Sequence, residues 1–247
     1  MVVNAVNLDW MNLPLANLLR DRYQRPVYVL NDSQAAAMGE YTFGEGNSSE
    51  SSLVVINARH GIGAGIVING RLFQGDGGGA GEIGHIVVVQ EDGLMCRCGN
   101  RGCLETVASA QAIVNRARML AGQSSGVNLP HSPNAVTLDA VEDAFNSGDP
   151  SIRQLIIEAG SYMGQVISDV IGILNIHKIV LSGDMTRFGE TWLDAIKDTL
   201  SRTSFIGLSQ DTRVELGQLG KNFIVLGASA LILNNYSLLF NQQTESV

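Results

Sequence analysis

All three cysteines of this chain, Cys96, Cys98 and Cys103, fall in one short stretch, and His85 lies just upstream. The spacing His-x10-Cys-x-Cys-x4-Cys supplies four soft or borderline donors, the set that closes a tetrahedral zinc shell. Three reduced core cysteines would sit among apolar neighbours. These sit among Arg97, Gly99, Asn100, Arg101 and Gly102, and the glycines let the backbone turn tightly enough for several thiolates to face one ion. Thiolate and imidazole donors favour zinc over oxygen-seeking metals. With four protein ligands no position is left for water, so the expected role is structural.

Carboxylates flank the cluster, Glu82 before it and Glu105 after it. Surface carboxylates are usually solvated. Beside a rigid metal knot they would have fixed positions, as recognition of neighbouring hydroxyls requires. Asn31-Asp32 ends an apolar run and precedes a helix-forming one, the place where ligands gather in α/β sheets. Asp32 or Ser33 could equally be only a helix cap. A polyol such as a sugar is the natural ligand for converging Asn, Asp, Glu and His groups. The run Gly61-Ile62-Gly63-Ala64-Gly65 reads as a turn between strands, able either to cradle phosphate or to pack tightly.

The elements that must position these groups read as mixed α/β. A helix is expected at 13–23, a lone strand at 26–30 and a helix at about 33–41. The polar, glycine-rich segment 44–52 reads as a hinge. Strands are expected at 53–57 and 65–68, with Asn69-Gly70 turning into Arg71-Leu72-Phe73. Helices follow at about 109–121 and 138–146. Asp149 caps a long helix with Pro150 at its first position, running to about 174. A strand at 178–181, the turn Ser182-Gly183-Asp184, a helix at 190–200, a strand at 213–216 and a last helix from about Phe223 complete the order. A single early strand cannot form a sheet alone, so strands that pair with it are expected to precede Met1 or to come from another chain.

Composition bounds the function. The chain has 247 residues, 45% hydrophobic and 16% charged, which suits a globular protein with a well-buried core. A net charge of −8, with Arg20, Arg22 and Arg25 interrupted by other residues, argues against a nucleic-acid surface within these residues. No apolar stretch reaches membrane-spanning length, and no secretory signal is visible at the start. Three cysteines do not pair evenly, so thiolates in a reducing cytoplasm are expected rather than disulfides.

Taken together the segments resemble the ROK family of repressors, open reading frames and sugar kinases. The resemblance rests on Glu82-Ile83-Gly84-His85, the run from Cys96 to Glu105, Asn31-Asp32-Ser33-Gln34-Ala35, the glycine turn, Ile179-Val180-Leu181-Ser182-Gly183 and Leu226-Gly227-Ala228-Ser229-Ala230. It covers essentially the whole chain and implies an actin-like, ribonuclease H-like α/β fold in two lobes, with the first strands of the N-terminal lobe missing. Residues 1–49 would be the remnant of that lobe, 50–225 the C-terminal lobe with its zinc knot, and 226–247 a helix returning to the first lobe. The resemblance assigns zinc to His85, Cys96, Cys98 and Cys103. It assigns the sugar to Asn31, Asp32, Glu82, His85 and Glu105, with His85 serving both. In kinase members the residue matching Asp32 is the general base, and ATP and Mg2+ would be cofactors only in that case.

Three departures argue against ATP turnover. The Asp-x-Gly-Gly-Thr-like phosphate turn of family kinases is absent, and Asp76-Gly77-Gly78 follows a hairpin rather than opening a strand pair. Arg59-His60-Gly61 stands where kinases read Gly-Thr-Gly, and Asp184 follows Gly183 where they tend to carry glycine. The resemblance therefore implies the sugar-binding effector domain of a transcriptional regulator of repressor type, touching DNA only through a module outside this chain and assembling as a homodimer or homotetramer. The alternative is an ATP-dependent hexose kinase.

Overall fold

The computed structural model describes residues 3–5, 10–44, 51–123, 126–130, 132–204 and 210–234. In chain order the elements are β1 (Val3–Ala5), β2 (Trp10–Leu13), α1 (Leu15–Tyr23), α2 (Asp32–Phe43), β3 (Leu53–Ala58), β4 (Ile62–Ile68) and β5 (Arg71–Phe73). They continue with α3 (Glu105–Ala108), α4 (Ala110–Gln123), α5 (Leu138–Asn146), α6 (Pro150–Leu174), β6 (Lys178–Ser182), α7 (Gly189–Thr203), β7 (Arg213–Leu216) and α8 (Phe223–Asn234). Residues 45–50, in the expected hinge, and 235–247, in the expected last segment, lie outside the described residues.

Five strands form one mixed sheet in the order β5-β4-β3-β6-β7. β3 pairs parallel with β6, and β6 with β7, while β4 runs antiparallel to both β3 and β5. Every residue of β3, Leu-Val-Val-Ile-Asn-Ala, is buried, as expected of a strand covered on both faces. Alternation sends Val54, Ile56 and Ala58 to one face, where Ile113, Ile152, Ile156, Met163, Ile167, Trp192 and Ile196 pack on them. Leu53, Val55, Val67 and Val180 face the other way, against Ala36, Ala37 and Met38 of α2 and Phe223 and Ala230 of α8.

Local signals set the helix starts. Asp149 Oδ1 accepts hydrogen bonds from the backbone N–H groups of Ser151 (2.9 Å) and Ile152 (3.1 Å), with Pro150 at the first helical position of α6. Asn175 ends α6 in the left-handed conformation. Asn69 and Gly70, with φ of 50° and 75°, make the expected hairpin turn between β4 and β5.

Three expectations change. Residues 26–30 form no strand: nothing among the described residues pairs with them, and an extended segment without a ladder partner is not a sheet element. The chain does not open directly on a helix, because β1 and β2 pair antiparallel ahead of α1. Gly63 does not belong to a turn, and the strand expected from Gly65 begins earlier, at Ile62. Both glycines lie inside β4, where the first turn of α2 crosses the sheet. A Cβ at position 63 would stand 2.6 Å from Ser33 Oγ, and one at 65 would overlap the Ser33 carbonyl and stand 2.5 Å from the Ala37 Cβ. The glycines are the seat on which α2 rests.

Candidate metal centre and adjoining cleft

The ligand atoms of His85, Cys96, Cys98 and Cys103 all lie within 4.8 Å of one another. Backbone bonds fold the knot: Cys96 N–H donates to the Asn100 carbonyl (2.8 Å), Gly99 N–H to Cys96 (3.0 Å) and Gly102 N–H to Leu94 (2.9 Å). His85 Nδ1 is 3.5 Å from Cys96 Sγ, and Cys98 Sγ is 3.6 Å from Cys103 Sγ. Ligands at bond lengths of about 2.0 Å to nitrogen and 2.3 Å to sulfur around a tetrahedral ion sit about 3.5–3.8 Å apart. The spacing therefore suits a single ion.

The thiols are chemically unequal. A hydrogen bond from the Asn100 backbone lowers the Cys98 thiol. Burial, followed by its sulfur neighbours Cys98 and Cys96, pushes the Cys103 thiol up to about 12. To converge as thiolates, the three would need a cation to hold them.

A cleft of about 720 Å³ adjoins the knot, at the carboxyl ends of β3 and β6, the first residues of β4 and the start of α2. All five residues expected to bind a ligand, Asn31, Asp32, Glu82, His85 and Glu105, line it. Asn31 rather than Asp32 or Ser33 is the helix cap, its Oδ1 accepting from Gln34 N–H at 2.7 Å. Asp32 Oδ1 accepts from Ser33 N–H (2.9 Å), and the residue stays exposed to the cleft. His85 turns Nδ1 to the thiols and Nε2 toward Glu82, 3.7 Å from Oε2. One ring therefore borders both the metal centre and the cleft.

Glu105 is the most firmly held of the five. Its Oε1 accepts from Arg97 Nε (3.0 Å) and Nη2 (2.7 Å), and its Oε2 accepts from the Ile62 N–H (3.0 Å). Its side chain is 12% exposed, and with both lone pairs of Oε1 engaged by Arg97, Oε2 keeps one for a hydroxyl donor. The altered turns meet each other: Arg59 Nε lies 3.7 Å from Asp184 Oδ2, at the mouth of the cleft. Asp76-Gly77-Gly78 stands beside α2, where Gln34 Nε2 donates to the Gly78 carbonyl (3.1 Å).

Two lining residues escape a reading of the sequence. Arg97 lies between ligand cysteines and reads there only as a polar neighbour, yet it braces Glu105. Asn57 interrupts an apolar strand; its side chain is buried, lines the cleft, and its Oδ1 has no hydrogen-bond partner among the described residues. A polar residue ending an otherwise apolar strand is the signal that could have found it. Deeper under α2, burial raises the Glu40 carboxyl above its ordinary range, and Ser182 Oγ donates to it at 3.5 Å.

Comparison with known proteins follows this geometry. A family model described as the ROK family matches residues 1–235. A xylose repressor of Caldicellulosiruptor bescii is 31% identical over 236 residues, covering 95% of this chain and 59% of the repressor. The chain thus spans less than two thirds of that relative's length. Among solved structures, a ROK family glucokinase from Streptomyces griseus in complex with glucose and AMPPNP superposes with a TM-score of 0.81 at 31% identity, covering 92% of this chain and 75% of the kinase. A ROK family transcriptional regulator, a homologue of the E. coli MLC protein, gives 0.78 at 33% identity, covering 90% of this chain and 56% of the regulator. No helix among the described residues is long and apolar enough to cross a membrane.

Proposed function

The chain belongs to the ROK family and has its actin-like α/β fold, and from that premise we propose that it is the sugar-sensing part of a transcriptional regulator. The observation that carries this reading is the Arg59–Asp184 pair. A nucleotide needs backbone N–H groups free to approach its phosphates. Here one turn presents a guanidinium and the other a carboxylate, and the two neutralise each other at the mouth of the cleft. The polyol-binding groups are retained beside them.

In this reading Asn31, Asp32, Glu82, His85 and Glu105 hold the sugar by hydrogen bonds, and zinc fills the four-ligand knot. Zinc at Nδ1 would leave His85 Nε2 as a proton donor toward the cleft. The ion supplies rigidity and charge, and no hydrolytic water. The division into an N-terminal lobe and a larger C-terminal lobe is part of this reading, and α2 and α8 pack on the sheet through Val55, Val180 and Phe223. A sugar changes operator affinity only if it binds two lobe orientations unequally. Operator contact belongs to a part of the regulator outside these residues, and assembly is a homodimer or homotetramer in the cytoplasm.

The test is titration calorimetry of zinc-loaded protein with xylose, glucose and a panel of other pentoses, hexoses and amino sugars. Saturable binding of at least one is expected, with no ADP release from ATP and that sugar. Folded, metal-loaded protein that binds none would sink the proposal. The kinase reading keeps one supporting observation, the exposed Asp32 carboxylate in a cleft whose neighbour binds glucose and AMPPNP. ADP release that disappears in Asp32→Asn would decide for it.

A further inference from the structure

Asn57 is 3% exposed, lines the cleft, and leaves its Oδ1 without a partner among the described residues. Buried acceptors in native proteins are almost always paired, because an unmade hydrogen bond forfeits the water bonds it replaced. The neighbours of Asn57 explain why none of them pairs with it. On β4 its register partner is Gly63, which has no side chain. On β6 its partner is Ser182, whose hydroxyl donates to Glu40 instead. Strand alternation puts Asn57 on the face covered by α2, and there the Ser33 N–H is taken by Asp32. Gly63 offers no side chain, the Ser182 hydroxyl and the Ser33 N–H are engaged elsewhere, and the cleft that Asn57 lines is open.

We propose that Asn57 is a ligand-contact residue, its side-chain oxygen accepting a hydrogen bond from one sugar hydroxyl. This rests on the sugar reading and adds a specificity element to it. A pocket built to receive a hydroxyl rejects an analogue lacking it far more strongly than an apolar pocket rejects a missing methylene, since the buried polar group is then stranded. Asn57 therefore makes the cleft demand a hydroxyl at one position of the sugar ring. Glu105 and Asp32 lie nearer the solvent, where water can replace a missing donor.

The experiment is calorimetry with the sugar that binds best in the panel and its monodeoxy analogues, on the wild type and on Asn57→Ala. One deoxy analogue should bind the wild type about ten-fold more weakly than the parent sugar. In Asn57→Ala the parent should weaken by about as much, and the difference between parent and that analogue should vanish, as expected of two partners in one contact. Equal affinity of the two proteins for the parent sugar would overturn the inference while leaving the sugar reading intact. No heat with the wild type and any sugar would remove both. Should Asn57→Ala fail to fold, the side-chain amide resonance of Asn57 in 15N-labelled wild type serves instead: it must shift at sugar saturation, and an unmoved resonance overturns the proposal.

Discussion

Gly65→Ala is the sharpest test of how the cleft is held. The added methyl would overlap the Ser33 carbonyl and stand 2.5 Å from the Ala37 Cβ. Carbon atoms pack at about 3.5–4.0 Å, so α2 must lift off β4 by about 1 Å at its first turn. That movement stretches the two bonds joining Gln34 to the loop beside it, to the Gly78 carbonyl at 3.1 Å and from Gln74 Nε2 at 3.2 Å, beyond useful length. Two lost hydrogen bonds cost about 2 kcal/mol together. Overpacking adds about 1–3 kcal/mol. Replacing glycine stiffens the unfolded chain and returns about 0.4–1 kcal/mol. The net loss is about 3 kcal/mol, which for a chain of this size lowers Tm by roughly 6–12 °C. Thermal melting of metal-loaded protein measures it, with Gly77→Ala as control, since a Cβ there meets nothing within 4 Å. The metal ligands are untouched, so metal content should stay the same while sugar affinity falls with the displacement of Asn31 and Asp32. A Tm within about 1 °C of wild type would show that α2 is not seated on the β4 glycines, and the reasoning would fail.

Three further outcomes are expected. Cys98→Ser removes one of four ligands and should lower metal affinity by at least about 10–100-fold, with Tm and sugar affinity falling together because Arg97 and Glu105 depend on the same loop; metal analysis, melting and calorimetry read the three, and unchanged melting after chelation would contradict the assignment. Glu40→Gln tests the buried carboxyl: its raised pKa contributes stability in full below the ordinary carboxylate range, and that contribution is lost as pH rises through the raised value. The Tm of Glu40→Gln relative to wild type should therefore climb from about pH 4 to about pH 7, and a flat or falling difference would refute it. Arg59→Ala should cost about 0–1 kcal/mol, because both partners of the Arg59–Asp184 pair are nearly half exposed; a much larger fall in Tm would make the pair a structural brace rather than an occupant of the phosphate turns.

The convergence of His85, Cys96, Cys98 and Cys103 was legible because they lie within one short stretch, where spacing and chemistry are read together. The helix start at Asp149 was legible for the same reason, since a cap acts on residues two or three positions away. What the sequence misjudged was set at a distance. Residues 26–30 have strand composition, but a strand exists only with a partner, and none among the described residues lies beside them. Gly63 and Gly65 carry no local mark that separates a turn from a strand crossed by a helix, and Ser33, which decides it, is about thirty positions away. Arg97 and Asn57 acquire meaning only once the knot and the sheet bring them to one wall.

His85 presents one ring nitrogen to the thiols and the other to the cleft. Such a ring transmits electron density in both directions, so an event on one side alters the ligand field on the other. A metal ion held there would thereby report on cleft occupancy. Cobalt(II) loaded at the four candidate ligands would give visible bands whose position and intensity respond when a ligand engages Nε2, a colour change for binding without any label attached to the protein.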